Sequence, residues 1–380
     1  MTGPLQGMKV VEIAALGPAP FCGMVLADLG ADVVIVDRAD AVTGSHTRAT
    51  RYELMGRGKR SIGVDLKHEE GVDVVFRLVE GAEALIEGFR PGVTERLGIG
   101  PAQCLARNPA LVYGRMTGWG QDGPLSGRAG HDIDYIALSG ALAAIGSEEI
   151  PVPPLNLVGD FGGGGMFLAV GLLAAVLHAR STGIGQVVDA AMIDGSALLT
   201  TAMHGHIAEG WWAPGREANL LDGGAPFYAV YETADGGHVA VGALEPQFFA
   251  ALLEGLGIDQ ASLPAQGDKE GWPTIKAVLA SKFAARSRDE WAEHFAASDA
   301  CVAPVLDATE APGHPHNTAR GMFIEVDGVT QPAPGPRFSA TPVPHPTGPG
   351  YPGRDTDFVL KTLGYSESET SMLRRVGAVA

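Results

Sequence analysis

Within its first forty residues the chain commits to a parallel sheet. MKVVEIA (8–14) and ADVVIVD (31–37) are short apolar runs rich in β-branched residues. FCGMVLADLG (21–30) between them has helical spacing and ends in Gly30, a residue suited to stopping a helix. Two buried strands joined through a helix run parallel, with a right-handed crossover. The pattern continues with a helix at 71–81 and strands at 84–86 and 111–116. The expected fold class is therefore α/β, a doubly wound Rossmann-like parallel sheet in a large domain, with a smaller α+β domain. Residues 1–190 are expected to form the large domain, completed by 335–380. The small domain is expected at 223–306, between linkers at 191–222 and 307–334. It opens with a hairpin, YAVYETADGGHVAVGAL (228–244), whose Asp235-Gly236 is turn chemistry.

Composition narrows the class. The 380 residues are 46% hydrophobic and 19% charged, which is globular rather than disordered. A net charge of −17 argues against nucleic-acid binding and against anionic membranes. Cys22, Cys104 and Cys301 make neither a disulfide framework nor a zinc site, and suit a cytoplasmic enzyme with reduced thiols. The N-terminus lacks the charge, apolar run and cleavage site of a signal peptide. The most membrane-like stretch, 161–177, is expected to be a buried helix behind a glycine-rich turn rather than a membrane span.

The first strand-turn-helix mimics a dinucleotide site, with Asp37 where a ribose ligand would sit. Its turn defeats that reading: the G-x-G-x-x-G spacing is absent, and Pro18 and Pro20 remove two N–H donors. Arg38 ends the second strand, where such sheets bind ligands. Arg48, Arg51, Arg57, Lys59, Arg60 and Lys67 follow within twenty residues, against only Glu53 and Asp65. That excess is read either as recognition of a phosphorylated small molecule or as a solvated basic loop. His314, His316 and His345 come without a carboxylate cluster, and no metal site is expected.

Six segments in order resemble the family III coenzyme A transferase and racemase superfamily. They are GRGKRSIGVDLK (56–67), IEGFRPGVTERLG (86–98), RMTGWGQDGP (115–124), AGHDIDYIALSG (129–140), PPLNLVGDFGGGG (153–165) and GQVVDAAMIDG (185–195). Singly they are weak; the ordered set is specific and spans nearly the whole chain. His131-Asp132, Asp160 in NLVGDFGGG and Glu245 in VGALEPQF match the α-methylacyl-CoA racemase branch.

The resemblance implies a racemase or epimerase of 2-methylacyl-CoA thioesters that works by 1,1-proton transfer. The α-carbon is a far weaker acid than any side chain, so its enolate must be stabilised and flanked by two proton carriers. By the resemblance these are His131 and Asp160 on opposite faces, with Glu245 pairing with the histidine across two chains of an interlocked homodimer. No cofactor is implied, because CoA is part of the substrate. CoA contacts carry over to Arg38, Val64, Asp65, Leu66, Lys67, Gly88, Phe89, Arg90, Arg96, Gly130, Asp132, Ile133, Asp134 and Tyr135. Among them Arg38 would meet a phosphate, and the backbone N–H of Asp132 the thioester oxygen.

Local residues alone read more plainly. His131 is a turn histidine, Asp132 the N-cap of the next helix, and Asp160 a cap before Gly162–Gly165. Two other functions fit parts of the pattern. In a family III CoA-transferase Asp160 would attack a thioester as nucleophile. A non-catalytic acyl-CoA-binding protein would need only the basic segment and a pocket.

Overall fold

A computed structural model describes residues 3–42 and 50–380. They form two compact units: 3–139 with 155–199 and 319–380, and 140–154 with 200–318. Arg48 lies outside the described residues.

The first unit is built on six parallel strands: β1 (Lys9–Ile13), β2 (Asp32–Arg38), β3 (Arg60–Val64), β4 (Ala84–Glu87), β5 (Val112–Thr117) and β6 (Gln186–Ala191). Their spatial order, β3-β2-β1-β4-β5-β6, is the doubly wound order that reverses between β1 and β4. β4 and β5 are buried at every position, as expected where helices cover both faces. Helices Pro18–Asp28 and Phe167–Thr182 pack on one face through Ala19, Cys22, Leu26, Leu168 and Leu172. Helices Glu69–Glu80 and Thr356–Thr362 cover the other through Val74, Val75, Val79, Val359 and Leu360. Gly30, with φ +98°, follows the first helix in the left-handed conformation its position requires.

Two local expectations are corrected here. The glycines after Asp160 form no turn. Leu157–Met166 is a wide π-helical segment that runs straight into helix Phe167–Thr182. A Cβ on Gly163 would lie 2.6 Å from the Ser196 nitrogen, and one on Gly165 2.8 Å from the Pro18 carbonyl oxygen. The glycines thus let this helix press its backbone against two neighbouring helices. The combined helix, Leu157–Thr182, is long and apolar enough to cross a membrane by length and composition, and 44% of its most apolar window is buried within the protein. Its outer face leaves Leu157, Met166, Val170 and Leu177 exposed.

Within the basic segment after Arg38, three residues serve as ion-pair partners, Arg57 and Lys59 of them buried, whereas Lys67 is exposed and lines a cavity. Arg57 is buried against Asp28 and donates to the Gln331 side chain and the Pro332 carbonyl. Lys59 Nζ lies 2.6 Å from Glu12 Oε2 and 2.9 Å from the Pro20 carbonyl. Arg60 pairs with Asp32. A glutamate in the middle of β1 and an aspartate ending a core helix need counter-charges, and this segment supplies them.

The second unit carries an antiparallel sheet in the order β7 (Tyr228–Glu232), β8 (His238–Gly242), β9 (Val302–Pro304). The β7–β8 hairpin turns at Asp235-Gly236, with Gly236 at φ +77°. Helices Pro246–Gly255, Trp272–Phe283 and Arg288–Phe295 enclose an aromatic core of Phe227, Phe249, Trp272, Phe283 and Trp291. The stretch 307–334 is structured: it holds helix Pro315–Ala319 and the hairpin β10 (Phe323–Val326)–β11 (Val329–Pro332), and the hairpin belongs to the first unit. Ser366 and Glu369 make the reciprocal cap of the last helix.

Candidate active site

The carboxyl ends of the first unit's strands open into two adjoining cavities. One, of about 330 Å³, is lined by residues following β1, β2 and β3, including Arg38, Val64, Asp65, Leu66 and Lys67. The other, of about 220 Å³, lies beyond β4 and β5 and is lined by Gly88, Phe89, Arg90, Trp119, Gly130, His131 and Tyr135. Phe89 borders both, so the two follow one another along the sheet edge at the point where strand order reverses.

His131 stands at the N-terminus of helix Asp132–Leu138, and its own backbone N–H donates to Asp134 at 2.9 Å. The histidine is therefore the N-cap residue, correcting the expectation that Asp132 caps. Asp132 is the first helical residue, is 9% exposed, and turns its carboxylate elsewhere. Its Oδ2 accepts the backbone N–H of Asp160 at 2.7 Å. Asp160 is likewise no cap; it sits inside the π-helical segment, where Asn156, four residues earlier, donates an amide hydrogen to its Oδ2 at 3.2 Å. Leu16 and Pro18 line the His131 cavity, and a Cβ on Gly17 between them would fall 3.4 Å from Asp160 Oδ2. Histidine and aspartate thus flank one turn at the end of β1.

Burial raises the Asp160 carboxyl above its ordinary value. The Asn156 hydrogen bond and the His131 imidazole work against that rise, and the Asp132 carboxylate adds to it. A half-buried carboxyl shifted toward its neutral form is better suited to giving a proton as well as taking one. Tyr135 donates to the Gly130 carbonyl, and burial together with Asp160 pushes its hydroxyl up to about 12. Trp119 packs edge-on against Tyr135, ring centroids 4.7 Å apart, and walls the same cavity.

Residues 5–356 match the model of CoA-transferase family III. The chain belongs to CoA-transferase family III. It is 46% identical to the alpha-methylacyl-CoA racemase of Mus musculus, across 97% of this chain and 96% of that one. Its identity to the alpha-methylacyl-CoA racemase of Homo sapiens is 44%, with the same coverage of both chains. Among solved structures, a CAIB/BAIF family protein from Brucella suis superposes with a TM-score of 0.82 at 26% identity, covering 96% of this chain and all of that one.

Against this family III background the residues carried over from the motifs sort by their place in the fold. Arg38, Val64, Asp65, Leu66, Lys67 and Phe89 share the first cavity, and Gly88, Phe89, Arg90, Gly130, His131 and Tyr135 share the second. Arg38 is exposed and paired with Asp40. Asp132 and Asp134 brace the His131 turn. Arg96, on the short helix Val93–Arg96, and Ile133 are exposed and line neither cavity. Glu245 belongs to the second unit, where it is the exposed N-cap residue of helix Pro246–Gly255.

Sequence reasoning missed Asn156, the Asp132 side chain and Trp119. The first had a signal, since an asparagine four residues before an aspartate shares its helix face. The indole at Trp119 had none beyond its place in RMTGWGQDGP.

Proposed function

We propose that this chain is an α-methylacyl-CoA racemase. His131 and Asp160 exchange the α-proton of a 2-methylacyl-CoA thioester from opposite faces of an enolate. The observation that carries the reading is that His131 lines one cavity while Asp160 is tied by its backbone to Asp132, the next residue after that histidine, at the sheet edge where a second cavity continues past Arg38 and Lys67. The ADP end of CoA lies in the larger cavity, its pantetheine passes Phe89, and the thioester carbonyl meets the helix N-terminus at Asp132. Free N–H groups and the positive end of a short dipole gather there. The chemistry needs no metal or organic cofactor, because the enolate is held by hydrogen bonds and the protons travel on side chains.

The active form is an interlocked homodimer in the cytoplasm, with Glu245 of one copy orienting His131 of the other. Supporting a second copy is the exposed apolar face of helix Leu157–Thr182, where Val170 is 65% and Leu177 69% exposed.

A carboxyl raised toward its protonated form suits proton transfer better than nucleophilic attack, which favours racemase over CoA-transferase. The test is α-deuterium incorporation from D₂O into each enantiomer of 2-methylacyl-CoA. The wild type should exchange both without any acceptor acid. His131→Ala and Asp160→Ala should each lower racemisation by about 10²–10⁴-fold. Turnover that requires an acceptor acid would replace this reading with CoA transfer; tight acyl-CoA binding without exchange would replace it with a binding protein.

A further inference from the structure

Asp132 has a side chain that proton transfer itself does not use. It is 9% exposed, and among the described residues one of its two carboxylate oxygens is engaged. Oδ2 accepts the Asp160 backbone N–H at 2.7 Å, while Oδ1 is buried with no hydrogen-bond partner among the described residues. The neighbouring backbone is shaped around this contact. A Cβ on Gly159 would lie 2.4 Å from Asp132 Oδ2 and 3.2 Å from the Ile136 side chain, so a glycine is what allows the two segments to touch. A buried carboxylate kept half-satisfied is costly, and such groups persist where they serve a site.

Resting on the racemase reading, we propose that the Asp132 carboxylate is a positioning residue that clamps the Asp160 turn against the His131 helix and so fixes the gap in which the α-carbon is held. One residue then sets both sides of the reaction. Its backbone opens the helix that carries His131 as N-cap, and its side chain holds the backbone of Asp160 twenty-eight residues later. Opposed proton carriers must both reach one carbon, so their separation matters more than the placement of either alone.

The same carboxylate places a negative charge beside Asp160, and a like charge disfavours ionisation. The other titratable groups felt at this position are His131 and Tyr135. The first turn of helix Pro18–Asp28, which abuts Asp160, presents Pro18, Ala19, Pro20 and Phe21 and no ionisable group. Helix Met192–Leu199 has one acid, Asp194, which acts on Asp189.

Two variants separate clamp from charge. Asp132→Asn keeps an oxygen for the Asp160 N–H and removes the charge; Asp132→Ala removes both. Each is assayed for kcat, KM and the pH dependence of kcat/KM with both enantiomers of 2-methylacyl-CoA, by α-deuterium exchange. Asp132→Ala should lose about 100-fold in kcat with both enantiomers, as misplacement of about 1 Å does. Asp132→Asn should stay within about tenfold of wild-type kcat, rescuing most of that loss. For the enantiomer deprotonated by Asp160, its acid limb should move down by about one pH unit, because the base ionises more readily. A structural contact alone would leave that limb in place.

The proposal is overturned by wild-type kcat in Asp132→Ala, or by an unmoved acid limb in Asp132→Asn. Should the alanine variant fail to fold, the limb in Asp132→Asn decides alone. A wild-type enzyme that exchanges neither enantiomer removes the racemase reading itself, which is a different failure from exchange that is indifferent to position 132.

Discussion

Replacing Lys59 by methionine would leave Glu12 buried in the centre of β1 without its counter-charge. The pair is closed off from solvent, its side chains 1% and 2% exposed. Burial already holds the Glu12 carboxyl above its ordinary 4.5, with Lys59 as the main force pulling it back. Without the lysine, the folded protein protonates Glu12 rather than bury a bare carboxylate. Binding a proton at pH 7 to a group of ordinary value 4.5 costs about 3.4 kcal/mol, and at pH 5 about 0.7 kcal/mol. Those figures bound the electrostatic loss, and methionine fills much the same space as the lysine stem. Lys59→Met should therefore be destabilised by at most about 3 kcal/mol at pH 7 and by less than about 1 kcal/mol at pH 5. The double variant Glu12→Gln with Lys59→Met should recover most of the loss at pH 7. Urea unfolding at both pH values reads this directly. A destabilisation by Lys59→Met that is equal at pH 5 and pH 7 would refute the reasoning. So would a double variant no more stable than the single one at pH 7.

The remaining predictions concern the site's supports. Glu87 accepts the Phe89 N–H at 2.7 Å and the Arg115 Nε–H at 2.9 Å, and burial pushes it up to about 7. Because its folded value lies above 4.5, its contribution to stability is full below that pH and is lost as pH rises through about 7. Glu87→Gln should flatten the stability change between pH 5 and pH 8 by about 2–3 kcal/mol, and an unchanged slope in urea titrations would contradict it. Glu245→Ala should lower racemase activity less than His131→Ala does; wild-type activity at saturating substrate would remove Glu245 from the mechanism.

The sequence is most readable where burial is simplest. β1, β2, β4 and β5 occupy the middle of the sheet and show themselves as apolar runs. The two edge strands hide. RSIGV in β3 begins with a charge that pairs sideways to Asp32, and QVVDAA in β6 leaves its first positions exposed. Charges mislead for a related reason. Arg57 and Lys59 look like surface basicity in a linear window, yet their partners Asp28 and Glu12 lie 29 and 47 residues away and are buried with them. The motifs around position 131 and around position 160 each point to a candidate proton carrier, because each keeps its own local pattern. What makes them one site is a hydrogen bond from the Asp160 backbone to a side chain whose local pattern reads as a helix cap. Helix capping and long-range clamping ask for the same residue type, a short carboxylate at a helix start, so composition and spacing could not separate them. The distinction lies in where the carboxylate turns: back onto its own helix, or across to the segment carrying Asp160. That choice depends on Gly159 leaving room, and so on two segments that only the folded sheet brings together.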